Sequence, residues 1–154
     1  MGGMNSFPIM KSIYTYHTSK AVLPKGYLQS VTSVHFMNYH FVWCPKYRRK
    51  VITGNIEKRL KQLLVQKTGE LDCKIIALEI MSDHVHIFVQ APPTIAPNRL
   101  VAAMKGHTSR VLRKEFPELV SRLPTLWTRS YFVSTHGHVS AEAIKKYVEE
   151  QKGI

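Results

Sequence analysis

Apolar residues recur along the chain in two periods, and the changes between them mark out the elements. Val34 to Cys44 (VHFMNYHFVWC) is dense in aromatic and β-branched residues and predicts a strand, ended by Pro45. From Gly54 to Lys67 the spacing of Ile56, Leu60, Leu63 and Leu64 is helical, with Asn55 placed as N-cap and Gly69 at the exit. Asp72 to Met81 (DCKIIALEIM) reads as a second strand, apolar on both faces for most of its length. Ser82-Asp83 then makes a tight turn into Asp83 to Val89. Alternation there places His84 and His86 on one face and Val85, Ile87 and Val89 on the other.

Ala91 to Pro97 is a loop. Asn98 to Phe116 predicts a second helix, with Leu100, Val101, Met104, Val111 and Leu112 on its apolar side. Its other face carries Lys105, His107, Thr108, Ser109, Arg110, Arg113 and Lys114. Gly106 inside it costs about 1 kcal/mol relative to Ala and suggests close approach by another group. Pro117 to Pro124 reads as an irregular connection and Leu126 to Thr135 as the last strand. His136-Gly137-His138 forms a turn, and Ser140 caps a final helix, Ala141 to Gln151, with Glu142 in its first turn. The order βαββαβ predicts an α+β, ferredoxin-like antiparallel sheet with helices on one face, plus a C-terminal helix. Residues 1–30 sustain no period and are expected to form an arm, partly disordered or loosely packed, before a domain at 31–154.

Charge narrows the partners. Lys plus Arg number 22 against 10 Asp plus Glu, a formal +12 that favours a polyanion, most often nucleic acid. Lys46-Tyr47-Arg48-Arg49-Lys50 suits a phosphate clamp through Arg48, Arg49 and Lys50. Lys105, Arg110 and Arg113 could contact a backbone from the second helix. Taken singly, each is equally a solubilising turn or a solvated helix face. No run approaches the ~20 apolar residues of a membrane span, and Met1 to Met10 lacks a signal peptide's basic start and apolar stretch. Cys44 and Cys73 form no C-x-x-C and read as buried thiols of a reducing cytoplasm.

Two imidazoles roughly 6.6 Å apart along a strand can converge on one cation, although a lone H-x-H is more often a pair of hydrogen-bonded polar residues. A metal held by two histidines needs further ligands, and Gln151, Glu79 and Asp83 offer oxygens. Glu79 falls within an apolar run, where a buried carboxylate needs a partner or a metal. Tyr147 and Gln151, four apart, share a helix face. A tyrosine beside a metal can act as a nucleophile on a phosphodiester.

His84-Val85-His86 resembles the HUH motif of nucleases acting on single-stranded DNA. Tyr147-Val148-Glu149-Glu150-Gln151 resembles the tyrosine-helix motif of the single-tyrosine transposases of bacterial and archaeal insertion sequences. Tyr39 to Arg49, Lys105 to Arg110 and Trp127 to Gly137 resemble that family's first strand and basic turn, second helix, and last strand with hinge. The likeness runs from about Ser33 to Gln151.

It implies a ferredoxin-like nuclease fold and a homodimer in which a hinge at Gly137 lets one subunit's tyrosine helix complete the other's site. It implies Tyr147 as nucleophile and His84, His86 and Gln151 as metal ligands, with Glu79 and Asp83 auxiliary. The ion is expected to be Mg²⁺ or Mn²⁺. The implied activity is cleavage and rejoining of single-stranded DNA at element ends, through a 5′-phosphotyrosine, after recognition of subterminal hairpins. Three alternatives stand beside it: a domesticated repeat-associated tyrosine transposase, a non-catalytic nucleic-acid-binding module, and a structural metal protein. The module would want paired aromatics where His84 and His86 stand. Structural zinc would want four closed ligands, and neither cysteine adjoins the H-x-H.

Overall fold

The computed structural model describes residues 36–135 and 141–151. The N-terminal arm over 1–30, the Gly137 hinge and the Ser140 cap lie outside them. Strands β1 (Met37–Trp43), β2 (Lys74–Met81), β3 (His84–Ala91) and β4 (Phe132–Ser134) form one sheet in the order β2-β3-β1-β4. Every neighbouring pair is antiparallel. The described chain also holds a 3-10 turn (Lys46–Arg48) and the helices α1 (Gly54–Glu70), α2 (Pro97–Glu115), α3 (Glu118–Arg122) and α4 (Ala141–Glu150). This is the α+β, ferredoxin-like arrangement that the sequence predicts, with a C-terminal helix added.

The alternation along β1 and β3 decides where the core lies. Tyr39, Phe41 and Trp43 of β1 and Val85, Ile87, Val89 and Ala91 of β3 point to one side. There they pack against Leu60, Leu63 and Leu64 of α1 and Leu100, Met104 and Leu112 of α2. The opposite face of β3 presents His84 and His86. Those two side chains are about one-fifth exposed, whereas Val85 and Ile87 between and beside them are fully buried.

Several local expectations are corrected. β2 is an edge strand, and a register shift between Ile75 and Ala77 breaks its period of two. Ile75, Leu78 and Ile80 then lean on the core while Ile76 and Met81 stay exposed, which is why the segment looks apolar on both faces. Glu79 is consequently not a buried carboxylate; its side chain is 73% exposed. Thr53, not Asn55, occupies the N-cap position of α1, and Gly54 takes φ +55°, a left-handed value that favours glycine. Gly106 has open space around a notional Cβ, so no close approach explains it. Thr108 belongs to the interior: its hydroxyl donates to the Met104 carbonyl (2.8 Å) and accepts from the Trp127 indole (3.0 Å).

The connection over 117–124 contains the short helix α3, whose spacing buries Leu119 and Leu123 four residues apart. β4 is only three residues long, and the chain before it bonds elsewhere. Pro45 and Trp127 form an isolated bridge. The Lys105 ammonium donates to the carbonyls of Thr128 (2.6 Å) and Ser130 (2.9 Å). These bonds tie the segment before β4 to α2.

Ile87, fully buried at the centre of the sheet, gives a stability test. Ile87→Ala should lower unfolding free energy by about 2–5 kcal/mol, read from urea denaturation. A loss under 1 kcal/mol would contradict the placement of its side chain in the core.

Candidate active site

The histidine strand starts at the Ser82-Asp83 turn, and the turn orients its first imidazole. Asp83 Oδ1 lies 2.9 Å from His84 Nδ1. A carboxylate is acceptor only, so the imidazole donates from Nδ1, and in its neutral form keeps the lone pair on Nε2. This carboxylate–imidazole couple is the usual support of a metal-binding histidine. Two residues on, His86 Nε2 lies 3.4 Å from His40 Nδ1, and its Nδ1 is 4.0 Å from Glu79 Oε2. Burial holds the His86 pKa below the ordinary imidazole value, opposed by Glu79 and assisted by His84. The neutral ring that results is the form that binds metals.

His40 is a site residue the motif reading missed. It stacks flat on Phe88, with centroids 4.1 Å apart and planes 4° from parallel. Its signal was alternation in β1: His40 shares a face with Val42, opposite Phe41.

The C-terminal helix docks on this same open face. Val148 packs with Val42 and Cys44, flanked by Phe132 and Tyr147. Arg48 ties the helix to the histidine turn. Its Nε pairs with Asp83 Oδ2 and its Nη1 with Glu149 Oε1, each at 3.2 Å, and Nη1 also approaches the Val148 carbonyl at 3.4 Å. Tyr47 and Arg48 reach this pose with φ of 59° and 51°, left-handed values unusual for such side chains.

Tyr147 and Gln151 both meet Ser130. The Ser130 hydroxyl donates to Gln151 Oε1 (2.8 Å) and lies 3.2 Å from the Tyr147 hydroxyl. Among the described residues, neither side chain hydrogen-bonds to His84 or His86. Burial raises the Tyr147 pKa above 10, with its side-chain contacts to Ser130 and Thr128 acting against the rise. The Cys44 thiol is pushed up to about 12 by burial, so it is no nucleophile.

The residues fit a divalent ion in part. Two imidazoles stand side by side, but no group of three or more His, Cys, Asp and Glu converges among the described residues. Glu79 and Asp83 stand next to the pair, one largely in solvent and the other engaged with Arg48.

The predicted nucleic-acid cations divide. Arg49, Lys50 and Arg110 are exposed. Arg48 is committed to Asp83 and Glu149, and Arg113 donates to the carbonyls of Leu123 (2.9 Å) and Pro124 (3.3 Å). Lys105 serves the Thr128–Ser130 carbonyls, with its pKa lowered to about 8 by burial.

Paired histidines on an open ferredoxin-like sheet, faced by a helix bearing a tyrosine and a glutamine, define a class of DNA-processing enzymes. The family model described as "Transposase IS200 like" matches residues 33–151, and the chain belongs to that family of transposases. It is 33% identical to the ISDra2 transposase TnpA of Deinococcus radiodurans over 132 residues, covering 84% of this chain and 94% of that protein. It is 29% identical to the transposase for insertion sequence element IS200 of Salmonella typhimurium over 115 residues, 73% of this chain and 75% of that one.

Among solved structures, a putative transposase from Deinococcus radiodurans superposes with a TM-score of 0.73 at 30% identity, covering 82% of this chain and 99% of the other. A REP-associated tyrosine transposase bound to a REP hairpin shares the fold, with a TM-score of 0.50 and 11% identity over 84% of this chain and 68% of the other.

The buried phenol gives a pH test. A folded pKa above the unfolded value of about 10 means that stability is complete below pH 10 and declines as pH rises through it. Carbon-13 NMR of labelled tyrosine should show Tyr147 titrating above pH 10. Tyr147→Phe should flatten the alkaline loss of stability. A Tyr147 midpoint below 10 would rule out the docked, buried pose.

Proposed function

We propose that this transposase cleaves and rejoins single-stranded DNA at the ends of its insertion sequence, with Tyr147 as nucleophile. The observation that carries this reading is the shared Arg48–Asp83 contact. It sets the histidine turn and the tyrosine helix on the same open face of one sheet.

In the reaction, the Tyr147 oxygen attacks the scissile phosphorus as its proton is lost. The bond to the 3′ oxygen breaks, and that oxygen takes up a proton. A 5′-phosphotyrosine and a free 3′-hydroxyl result. Attack by the 3′-hydroxyl of another end reverses the step, restores the phenol and joins the strands, so the energy of the diester is conserved without a nucleotide cofactor.

His84, His86 and Gln151 would hold a divalent ion, Mg²⁺ or Mn²⁺, with Asp83 orienting His84 and Glu79 beside His86. When bound, such an ion polarises the phosphate and favours the phenolate. Asp83 keeps the His84 lone pair directed, and the low pKa of His86 keeps its ring neutral. Exposed Arg49, Lys50 and Arg110 suit the sugar–phosphate backbone of a hairpin near the element end. One tyrosine per chain and two ends to hold at once favour a homodimer, with each tyrosine helix serving the partner's histidines across Gly137.

The test incubates the protein with single-stranded DNA carrying its own element's end. A covalent protein–DNA adduct should form with Mg²⁺ or Mn²⁺, vanish with a chelator, and be absent in Tyr147→Phe and in His84→Ala. Mixing those two variants should restore adduct on the His84→Ala chain if the helix acts in trans. An adduct that persists in Tyr147→Phe would remove Tyr147 as nucleophile; absence of rescue in the mixture would place the site within one chain.

A further inference from the structure

We propose that Ser130 is a positioning residue: its single hydroxyl parks Tyr147 and Gln151 together, away from the histidines, and the site assembles when that hydroxyl gives both of them up. The proposal deepens the transposase reading above and rests on it for the roles of Tyr147 and Gln151.

Hydrogen-bond capacity carries the first part. A serine hydroxyl has one proton to donate and two lone pairs to accept with. Its proton goes to Gln151 Oε1 at 2.8 Å. The Tyr147 hydroxyl, 3.2 Å away, must therefore donate its own proton to Ser130 Oγ. One atom thus engages the nucleophilic oxygen and the amide oxygen that would ligate a cation, with Thr128 a further partner of Tyr147 alone. The remaining end of the amide is also occupied, since Gln151 Nε2 approaches the Tyr147 carbonyl at 3.4 Å, and Gln151 as a whole is only 5% exposed. The Tyr147 ring rests against Phe132 of β4, with centroids 6.2 Å apart.

The second part is that Ser130 is a fixed post. Its carbonyl accepts from Lys105 Nζ at 2.9 Å and from the Thr128 hydroxyl at 3.3 Å, and Lys105 also grips the Thr128 carbonyl at 2.6 Å. Helix α2 therefore anchors the post from below. Because Tyr147 and Gln151 are one helical turn apart, both meet the same post at once and leave it together. Ser130 itself is exposed, so water can replace both partners when they leave.

The experiment compares full-length wild type, Ser130→Ala and Ser130→Thr, after equal melting temperatures establish that all three fold. Two readouts are taken: affinity for Mn²⁺ alone, without DNA, and the single-turnover rate of adduct formation at saturating DNA. Ser130→Ala should bind Mn²⁺ more tightly and form adduct faster, each by about two- to tenfold, the factor that corresponds to one net hydrogen bond. Ser130→Thr, which keeps the hydroxyl, should behave as wild type. In a Gln151→Ala background the gain in Mn²⁺ affinity from Ser130→Ala should disappear.

Unchanged affinity, or slower adduct formation in Ser130→Ala, would overturn the parking role. Those results differ from failure of the underlying reading. That failure would show as no adduct in wild type, or as adduct that survives Tyr147→Phe.

Discussion

A four-stranded sheet whose two long helices, α1 and α2, both lie on one side is the constraint on which everything else in this molecule depends. α1 and α2 bury the side of β1 and β3 that carries Phe41, Trp43, Val85 and Ile87. Alternation then obliges the intervening residues to face away from the core. On β3 those residues are His84 and His86, and on β1 they are His40 and Val42. The same alternation that builds the core therefore presents the imidazoles, and a one-residue slip of β3 would bury both. The C-terminal helix finds its seat for the same reason. Val42 and Cys44 are the apolar part of the uncovered face, and Val148 closes over them.

Much of the fold was legible because its elements announce themselves locally. α1 and α2 carry helical apolar spacing over two to three turns, and β3 alternates cleanly. The order of elements was enough to name the sheet. What was not legible came from interactions between distant segments. The segment before β4 is tied to α2 by the Lys105 ammonium through the Thr128 and Ser130 carbonyls, which no local pattern reveals. The apolar appearance of β2 came from an irregular register beside β3, and it made Glu79 look buried. Leu119 and Leu123 did carry a readable signal for α3, hidden between two prolines. At the site, the H-x-H pair and the Tyr147–Gln151 spacing were visible in the chain, and His40 only through the alternation of β1, whereas Ser130 and the bridging role of Arg48 were not. They matter only through contacts across 17 to 100 positions of sequence.

The distribution of cations qualifies the meaning of the +12 charge. A guanidinium or ammonium engaged by backbone carbonyls still contributes to the long-range field that draws a polyanion, but it is not free to grip a phosphate. Lys105 and Arg113 are of this kind, each spanning from α2 to the chain before β4. Charge that looks like a binding face in the sequence is thus partly internal scaffolding. The exposed group at Arg49, Lys50 and Arg110 is left for contact.

The two ion pairs of Arg48 are unequal, and the inequality sets a hierarchy of breakage. The Asp83 side chain is 16% exposed and that of Glu149 is 52% exposed. An exposed pair contributes about 0–1 kcal/mol, and its carboxylate is readily rehydrated when the pair separates. The inner pair is shielded, and Asp83 also holds His84. Thermal agitation or added salt will therefore part Arg48 from Glu149 well before it parts Arg48 from Asp83. The chain is built like a door whose outer catch yields first: the pair on the helix side parts while the frame around the histidines keeps its shape.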